Sequence, residues 1–290
     1  MWVGPAFAAP GPTIIPPPKL DVPVSVSDAE ARRNTKPITL SKIILVGDST
    51  VQVGSGWGGA FCANHVTAFL TCVDMGRGGR STLSYRAEGS WAQALNEAKV
   101  PGYADVYVLV QFGHNDQPGK PGNSTDLDTE FPQNLRNYVA ETRAAGAIPV
   151  LVTPLTRRSF AKGSLLDTLS PWAEKTLEVA RETNVPVIDL HAISMRIVQQ
   201  MGPVASLELA QKPPAPEVVA AAKSGTSIGA FMPGGYRSST QTEVAATRKS
   251  PQGVTFDYTH LGAKGAELFA SQVAQELLRV APSLRGQVEP

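Results

Sequence analysis

Cysteine is almost missing from this chain: 290 residues contain two, Cys62 and Cys72. A structural zinc site wants four ligands, and no second pair at suitable spacing joins Cys62, His65 and Cys72, so no metal is expected. A disulfide is not expected either. If a helix fills most of the gap between the two cysteines, their Cα atoms stand roughly 15 Å apart, whereas a disulfide needs about 7 Å or less. The expectation is two buried thiols. An excess of charge of one sign is also missing: 26 basic against 25 acidic residues leave a net charge of +1. No basic cluster is interleaved with aromatics, which argues against nucleic acid and anionic membrane as partners. No apolar run approaches the roughly 20 residues that span a bilayer. The start lacks a positive n-region and a full apolar h-region, although Ala6-Phe7-Ala8 has the small-x-small pattern of a signal-peptidase site. Two readings stand there: the tail of an export signal, which would make the protein secreted or periplasmic, and an Ala/Pro-rich coil.

What is present is ordinary for a globular protein, with 42% hydrophobic and 18% charged residues. The length suits one large α/β domain or two small ones. Residues 1–37 carry Pro5, Pro10, Pro12, Pro16, Pro17, Pro18, Pro23 and Pro37. Such a segment neither continues a helix nor sits in a central strand, and it reads as an extended arm. From there, 38–290 reads as one domain. Short apolar runs at Lys42–Val46, Thr71–Met75, Asp105–Gln111, Ile148–Thr153 and Pro186–Asp189 alternate with helical periodicity at about 58–69, 90–98, 128–145, 171–183, 190–201 and 261–280. The runs at 105–111 and 148–153 are apolar almost throughout, as strands covered on both faces must be. This alternation predicts a doubly wound, three-layer αβα sandwich on a parallel sheet of about five strands. Residues 203–256, rich in Pro, Gly, Ser and Thr, break the alternation and read as a long irregular insertion. It either overhangs the site that follows or is a disordered surface loop.

The chemistry-bearing residues lie at the edges of these elements. Gly47-Asp48-Ser49-Thr50 follows the first apolar run, which puts a hydroxyl at the carboxyl end of a buried strand. Asp257-Tyr258-Thr259-His260 stands just before the last helix. Ser49 needs a base to act as a nucleophile near neutral pH; His260 can accept its proton, and Asp257 can fix the imidazole tautomer. Gly54-x-Gly56-x-x-Gly59 matches the dinucleotide fingerprint in letters only. It starts too far after the strand, and Trp57 crowds the place where a pyrophosphate would approach. Asp189 and His191 form a competing pair that nothing in the sequence links to Ser49. His65 belongs to the first helix.

Four blocks together carry a family resemblance: Gly47-Asp48-Ser49-Thr50; Gly78-Gly79-Arg80-Ser81 with Ser84-Tyr85 and Glu88-Gly89; Phe112-Gly113-His114-Asn115-Asp116; and Asp257-Tyr258-Thr259-His260. In this order they resemble the SGNH hydrolases, the GDSL-type esterases with a flavodoxin-like sheet, and within them the rhamnogalacturonan acetylesterases. The resemblance implies a carbohydrate esterase with Ser49, Asp257 and His260 as catalytic residues. It implies an oxyanion hole from the Ser49 and Gly79 backbone N–H groups and the Asn115 amide, and no cofactor. It makes an acetylated polysaccharide the partner: pectin or rhamnogalacturonan first, then acetylated xylan or small esters. A carbohydrate-binding protein without turnover is the rival of another class, and it would be expected to lose Ser49 or His260. Trp57, His114 and Arg80 are the candidate substrate contacts; for Trp57 a place in the core is the equal alternative. His114 also reads as an organiser of the site, Asp48 as support for the turn that carries Ser49, and Asp116 as a loop carboxylate.

Overall fold

The structure, a computed structural model, describes residues 40–229 and 256–290. The proline-rich arm and residues 230–255 of the insertion lie outside the described residues. In chain order the elements are β1 (Leu40–Gly47), α1 (Gly58–Asn64), β2 (Leu70–Asp74), α2 (Ser84–Ala87), α3 (Ser90–Ala98), β3 (Tyr103–Gln111), α4 (Glu130–Ala144), β4 (Ile148–Val152) and a small hairpin, β5 (Phe160–Ala161) with β6 (Ser164–Leu165). Then follow α5 (Ser170–Glu182), β7 (Val187–Ile188), α6 (Leu190–Ala205), α7 (Pro216–Lys223) and α8 (Ala263–Val280).

Five strands pair in parallel in the order β2-β1-β3-β4-β7. Strand side chains alternate between faces, and each face is covered. Ile43, Leu45, Leu109 and Val150 pack with Phe61 of α1, Val198 of α6 and Phe269, Val273 and Leu277 of α8. Ile44, Val46, Val108 and Leu151 pack with Trp91 of α3, Phe131, Leu135 and Tyr138 of α4, and Val179 of α5. This is the three-layer sandwich that the apolar runs require. The chain leaves β1 toward β2 on one side and resumes at β3 on the other, so the order reverses between β1 and β3. Ligands in open α/β sheets bind outside the strand carboxyl ends at such a reversal. Ser49 follows β1 there, and residues 112–116 follow β3.

Four expectations need correction. Helix α1 stops at Asn64 rather than near residue 69, and the chain turns back into β2. The two cysteines therefore face each other across a U-turn instead of along a helix. They form a disulfide with Cα atoms 5.4 Å apart, so they are neither free thiols nor metal ligands. His65 lies just past the helix, its Nδ1 2.8 Å from the Glu289 carbonyl. The described part of 203–256 is largely helical: a 3-10 turn at Ser206–Leu209 precedes α7, whose Val218 and Ala222 pack with Leu207 and Tyr258. Its prolines stand where helices tolerate them, Pro216 opening α7, and Pro203 following the break in α6 at Gly202, whose φ is 73°.

Candidate active site

Residues just past β1 form a tight turn around a buried side-chain knot. Asp48 is fully buried, and its Oδ1 accepts the Thr50 backbone N–H at 2.8 Å and the Thr50 hydroxyl at 2.7 Å. Gln111, the last residue of β3, donates to Thr50 Oγ1 at 2.6 Å and accepts the Trp57 indole N–H at 2.9 Å. Ser55 donates to the Ser49 carbonyl at 2.7 Å. The turn closes so tightly that a Cβ on Gly56 would stand 2.2 Å from the Thr50 carbonyl carbon. Gly56 thus serves close backbone packing and Gly54, at a φ of 84°, a left-handed turn, rather than a pyrophosphate. Trp57 is only 1% exposed. It is corrected from a substrate contact to a core residue, because its indole N–H is engaged beneath the turn.

His114 is likewise buried rather than open to a substrate. Its Nδ1 stands 3.5 Å from Asp48 Oδ2. Burial holds the ring at about 4 despite the Asp48 charge, so it is neutral at neutral pH. Burial works against the Asp48 carboxylate too, but His114 and the Thr50 donors keep it below the ordinary range. Asp116 is no exposed loop carboxylate. It is fully buried, accepts the Thr82 backbone N–H at 3.0 Å and the Thr125 hydroxyl at 3.1 Å, and is pushed by burial to about 7. It ties the loop after β3 to the loop that carries Gly79.

That second loop supplies Gly79, whose φ of 79° lies where only glycine is at ease. Its neighbour Gly78 donates to the Gln52 side chain and lies against Ser49, where an added Cβ would stand 3.7 Å from the serine Cβ. Arg80 is partly exposed at this rim. Its Nε donates to Glu88 at 2.8 Å and its Nη1 to the Gly78 carbonyl at 2.8 Å, so the guanidinium braces the loop. The Asn115 amide donates to the Arg80 carbonyl at 2.9 Å.

The third segment arrives from the far end of the chain. His260 Nε2 is 2.8 Å from Ser49 Oγ, and His260 Nδ1 is 2.6 Å from Asp257 Oδ2. The other Asp257 oxygen accepts the Thr259 and His260 backbone N–H groups, each at 2.7 Å. Burial raises the Asp257 carboxyl, but the His260 ring and these two donors outweigh it and hold the group at about 2. For His260, burial lowers the proton affinity, and the ionised Asp257 more than compensates, leaving the ring above the ordinary histidine value. An imidazole held between a carboxylate and a hydroxyl in this way can take the hydroxyl proton while the carboxylate stabilises the imidazolium.

Sequence reasoning missed the residue that holds this loop. Arg158 is 1% exposed, and its guanidinium donates to the carbonyls of Asp257 at 3.1 Å, Thr259 at 3.1 Å and His260 at 2.9 Å. Its own backbone N–H donates to the Tyr258 carbonyl at 2.8 Å. Burial lowers its proton affinity to about 10, which leaves it charged. The only available signal was a basic pair, Arg157-Arg158, set just past an apolar strand at the active edge of the sheet. The competing Asp189 and His191 do not meet each other. Asp189 caps α6 and accepts the Thr153 hydroxyl at 2.9 Å, while His191 Nε2 lies 3.2 Å from Asp167.

Residues 45–200 match the model of the GDSL-like lipase/acylhydrolase family. The chain belongs to this family. It is therefore a carboxylic ester hydrolase. This GDSL-like hydrolase is 34% identical over 167 residues to the probable rhamnogalacturonan acetylesterase YesY of Bacillus subtilis, covering 55% of this chain and 75% of the relative. It is 36% identical over 182 residues to the rhamnogalacturonan acetylesterase RhgT of the same organism, covering 60% and 74%. The crystal structure of B. subtilis YxiM superposes with a TM-score of 0.56 at 22% identity. That match covers 84% of this chain and 58% of the YxiM chain, and it bears on the fold alone.

Proposed function

We propose that the enzyme is a serine esterase that removes O-acetyl groups from a plant cell-wall polysaccharide, with acetylated pectin of the rhamnogalacturonan type as its substrate. Ser49 Oγ attacks the acetyl carbonyl while His260 Nε2 takes its proton. The same proton then passes to the sugar oxygen as the C–O bond breaks and leaves an acetyl-Ser49 ester. Water, deprotonated by His260, attacks that ester, and acetate departs with Ser49 regaining its proton. The transient oxyanion is met by the backbone N–H groups of Ser49 and Gly79 and by the Asn115 amide. Loss of one such donor costs about 2.7–4 kcal/mol in known hydrolases.

The observation that carries this reading is the unbroken line of short contacts from Ser49 Oγ through the His260 ring to Asp257, at 2.8 and 2.6 Å. The polysaccharide rests on the names of the two B. subtilis relatives. We further infer that the protein works outside the cytoplasm. The Cys62–Cys72 disulfide supports this, because such bonds persist in oxidising compartments.

Acetate release from acetylated rhamnogalacturonan, acetylated homogalacturonan and acetylated xylan tests the substrate. The expected result is the highest kcat/KM on rhamnogalacturonan. Preference for xylan would overturn the pectin assignment. Turnover of 4-nitrophenyl acetate with none of the three polysaccharides would reduce the enzyme to a small-ester hydrolase.

A further inference from the structure

Beyond the carbonyl of Arg80, the Asn115 side chain has a second partner that no step of the proposed reaction uses. Residues 116–125 leave the end of the sheet and fold back on themselves. The Asp116 carbonyl accepts the Thr125 backbone N–H at 3.0 Å, and the Ser124 hydroxyl receives the Lys120 backbone N–H at 2.8 Å while donating to the Gln117 carbonyl at 2.9 Å. The base of this loop is pinned by the buried Gln117, which donates to the Thr168 carbonyl at 2.7 Å and accepts from Arg157 at 2.7 Å. The tip is thereby turned back over the strand end. It sets Lys120 Nζ 2.6 Å from the His114 carbonyl and 2.9 Å from Asn115 Oδ1.

The two ends of an amide are nearly equal in size and opposite in hydrogen-bonding sense. At Asn115 both ends are read. Nδ2 faces an acceptor, the Arg80 carbonyl, and Oδ1 faces a cation, the Lys120 ammonium. Rotating the amide by half a turn would set oxygen against oxygen and N–H against ammonium. Each contact forbids the wrong orientation, and together they leave the second N–H of Nδ2 for a ligand. The cation also does more than orient. A charge-assisted bond to the oxygen draws electron density out of the amide and makes the remaining N–H a stronger donor. It further brings a positive charge within one side chain of the place where the oxyanion forms, and electrostatic stabilisation there is the largest single source of rate.

We propose that Lys120 is the positioning residue of the oxyanion hole: it fixes and polarises the Asn115 amide so that its free N–H meets the developing negative charge. The inference rests on the reading of Asn115 as an oxyanion donor. It assigns to the loop after the family block at 112–116 a function in the chemical step rather than in holding sugar.

Because the interaction strengthens only as charge develops, its loss falls on kcat and leaves KM nearly unchanged. The test compares wild type, Lys120→Met, Lys120→Arg, Asn115→Ala and the double variant Lys120→Met/Asn115→Ala, using 4-nitrophenyl acetate and thermal melting. Lys120→Met should lower kcat about tenfold with KM within about twofold and an unchanged melting midpoint. Lys120→Arg, which keeps a cation at the site, should recover most of that loss. Asn115→Ala should cost about 100-fold or more, and adding Lys120→Met to it should cost less than twofold further. If Lys120→Met melts early, Lys120→Gln serves as the uncharged variant that retains a donor to the His114 carbonyl, with the same expected fall in kcat. Native kcat in the uncharged variants, or an undiminished tenfold loss in the Asn115→Ala background, overturns the assignment of Lys120. Near-native kcat in Asn115→Ala removes the underlying oxyanion reading instead, and the inference falls with it.

Discussion

The two halves of the active site are held by different means. The turn that carries Ser49 is locked from within: Asp48, Thr50, Gln111 and Trp57 form a buried hydrogen-bonded chain linking the ends of β1 and β3. Several of these bonds are redundant, and most partners lie within ten residues of Ser49. The loop that carries Asp257 and His260 has a local knot too, Asp257 accepting the Thr259 and His260 N–H groups, but among the described residues nothing ties that knot to a strand end. It is docked from outside chiefly by one buried guanidinium that gathers three carbonyls, with a main-chain bond from the same residue, one from the neighbouring Leu261 to Ser55 at 2.8 Å, and the Tyr258 hydroxyl on the Ile228 carbonyl at 3.0 Å. A nucleophile built on a strand end inherits the rigidity of the sheet. A base brought in from the last part of the chain needs a separate fastener, and here most of its polar contacts come from a single side chain, Arg158.

That contrast is sharpest under substitution. Arg158→Met leaves three part-buried carbonyls without their donor and frees the histidine loop. It should cut kcat about 100-fold and lower the melting midpoint, since a polar group left unsatisfied away from water costs up to about 1–3 kcal/mol. Thr50→Val removes two links of the chain, to Asp48 and from Gln111, costs about 1–3 kcal/mol through the Gln111 N–H it leaves unpaired, and should leave kcat within a few-fold of wild type because the Asp48 bond to the Thr50 backbone N–H remains. Steady-state rates and melting curves of the two variants make the comparison. Equal losses in both would mean that the halves are held alike.

The pH profile comes next in size. His260 must be neutral to act as base, and its proton affinity is raised by Asp257 against the opposing effect of burial. As pH falls through that raised value the base is lost. The acidic limb of kcat/KM should therefore lie above the ordinary histidine value of about 6.5, with activity dropping about tenfold per unit below it. Asp257, held at about 2, stays ionised across the whole profile. The Arg158 charge opposes protonation of His260, so the limb should move to higher pH in Arg158→Met. A limb at or below 6.5 in wild type would contradict the geometry of the Asp257–His260 pair.

The smallest effect on activity belongs to the disulfide, at the β2 edge of the sheet. Reduction, or Cys62→Ser, should cost about 2–3 kcal/mol of stability and leave kcat unchanged, as read by melting curves and initial rates. A large loss of activity at full folding would show that the edge strand controls the nucleophile turn.

The same contrast explains what could be read in the sequence. The sheet and its main helices were legible because their periodicity is local: Ile43 to Val46 alternate between two covered faces, and Phe131, Leu135 and Tyr138 recur on one side of α4. The meeting of Ser49 with Asp257 and His260 was legible because those side chains have a chemistry that needs one another. Arg158 was not, because its partners are carbonyls about a hundred positions away and any segment offers carbonyls. The disulfide was missed because the end of α1 at Asn64 carries no strong stop signal, and a helix five residues shorter turns a separation of roughly 15 Å into a Cα distance of 5.4 Å. For Trp57 and His114 the sequence leaves both a substrate contact and a supporting place open, because polar or aromatic residues beside a nucleophile suit either a cleft or the knot beneath it, and sequence does not say which way a side chain points.

Activation of Ser49 by His260 is the centre of the mechanism, and a mechanism-based label reads it directly. Treatment with a fluorophosphonate followed by peptide mass mapping should place one covalent adduct on the peptide containing Ser49, with labelling abolished in Ser49→Ala and slowed at least about 10³-fold in His260→Ala. An adduct on another residue, or labelling of Ser49 at wild-type rate without His260, would contradict it.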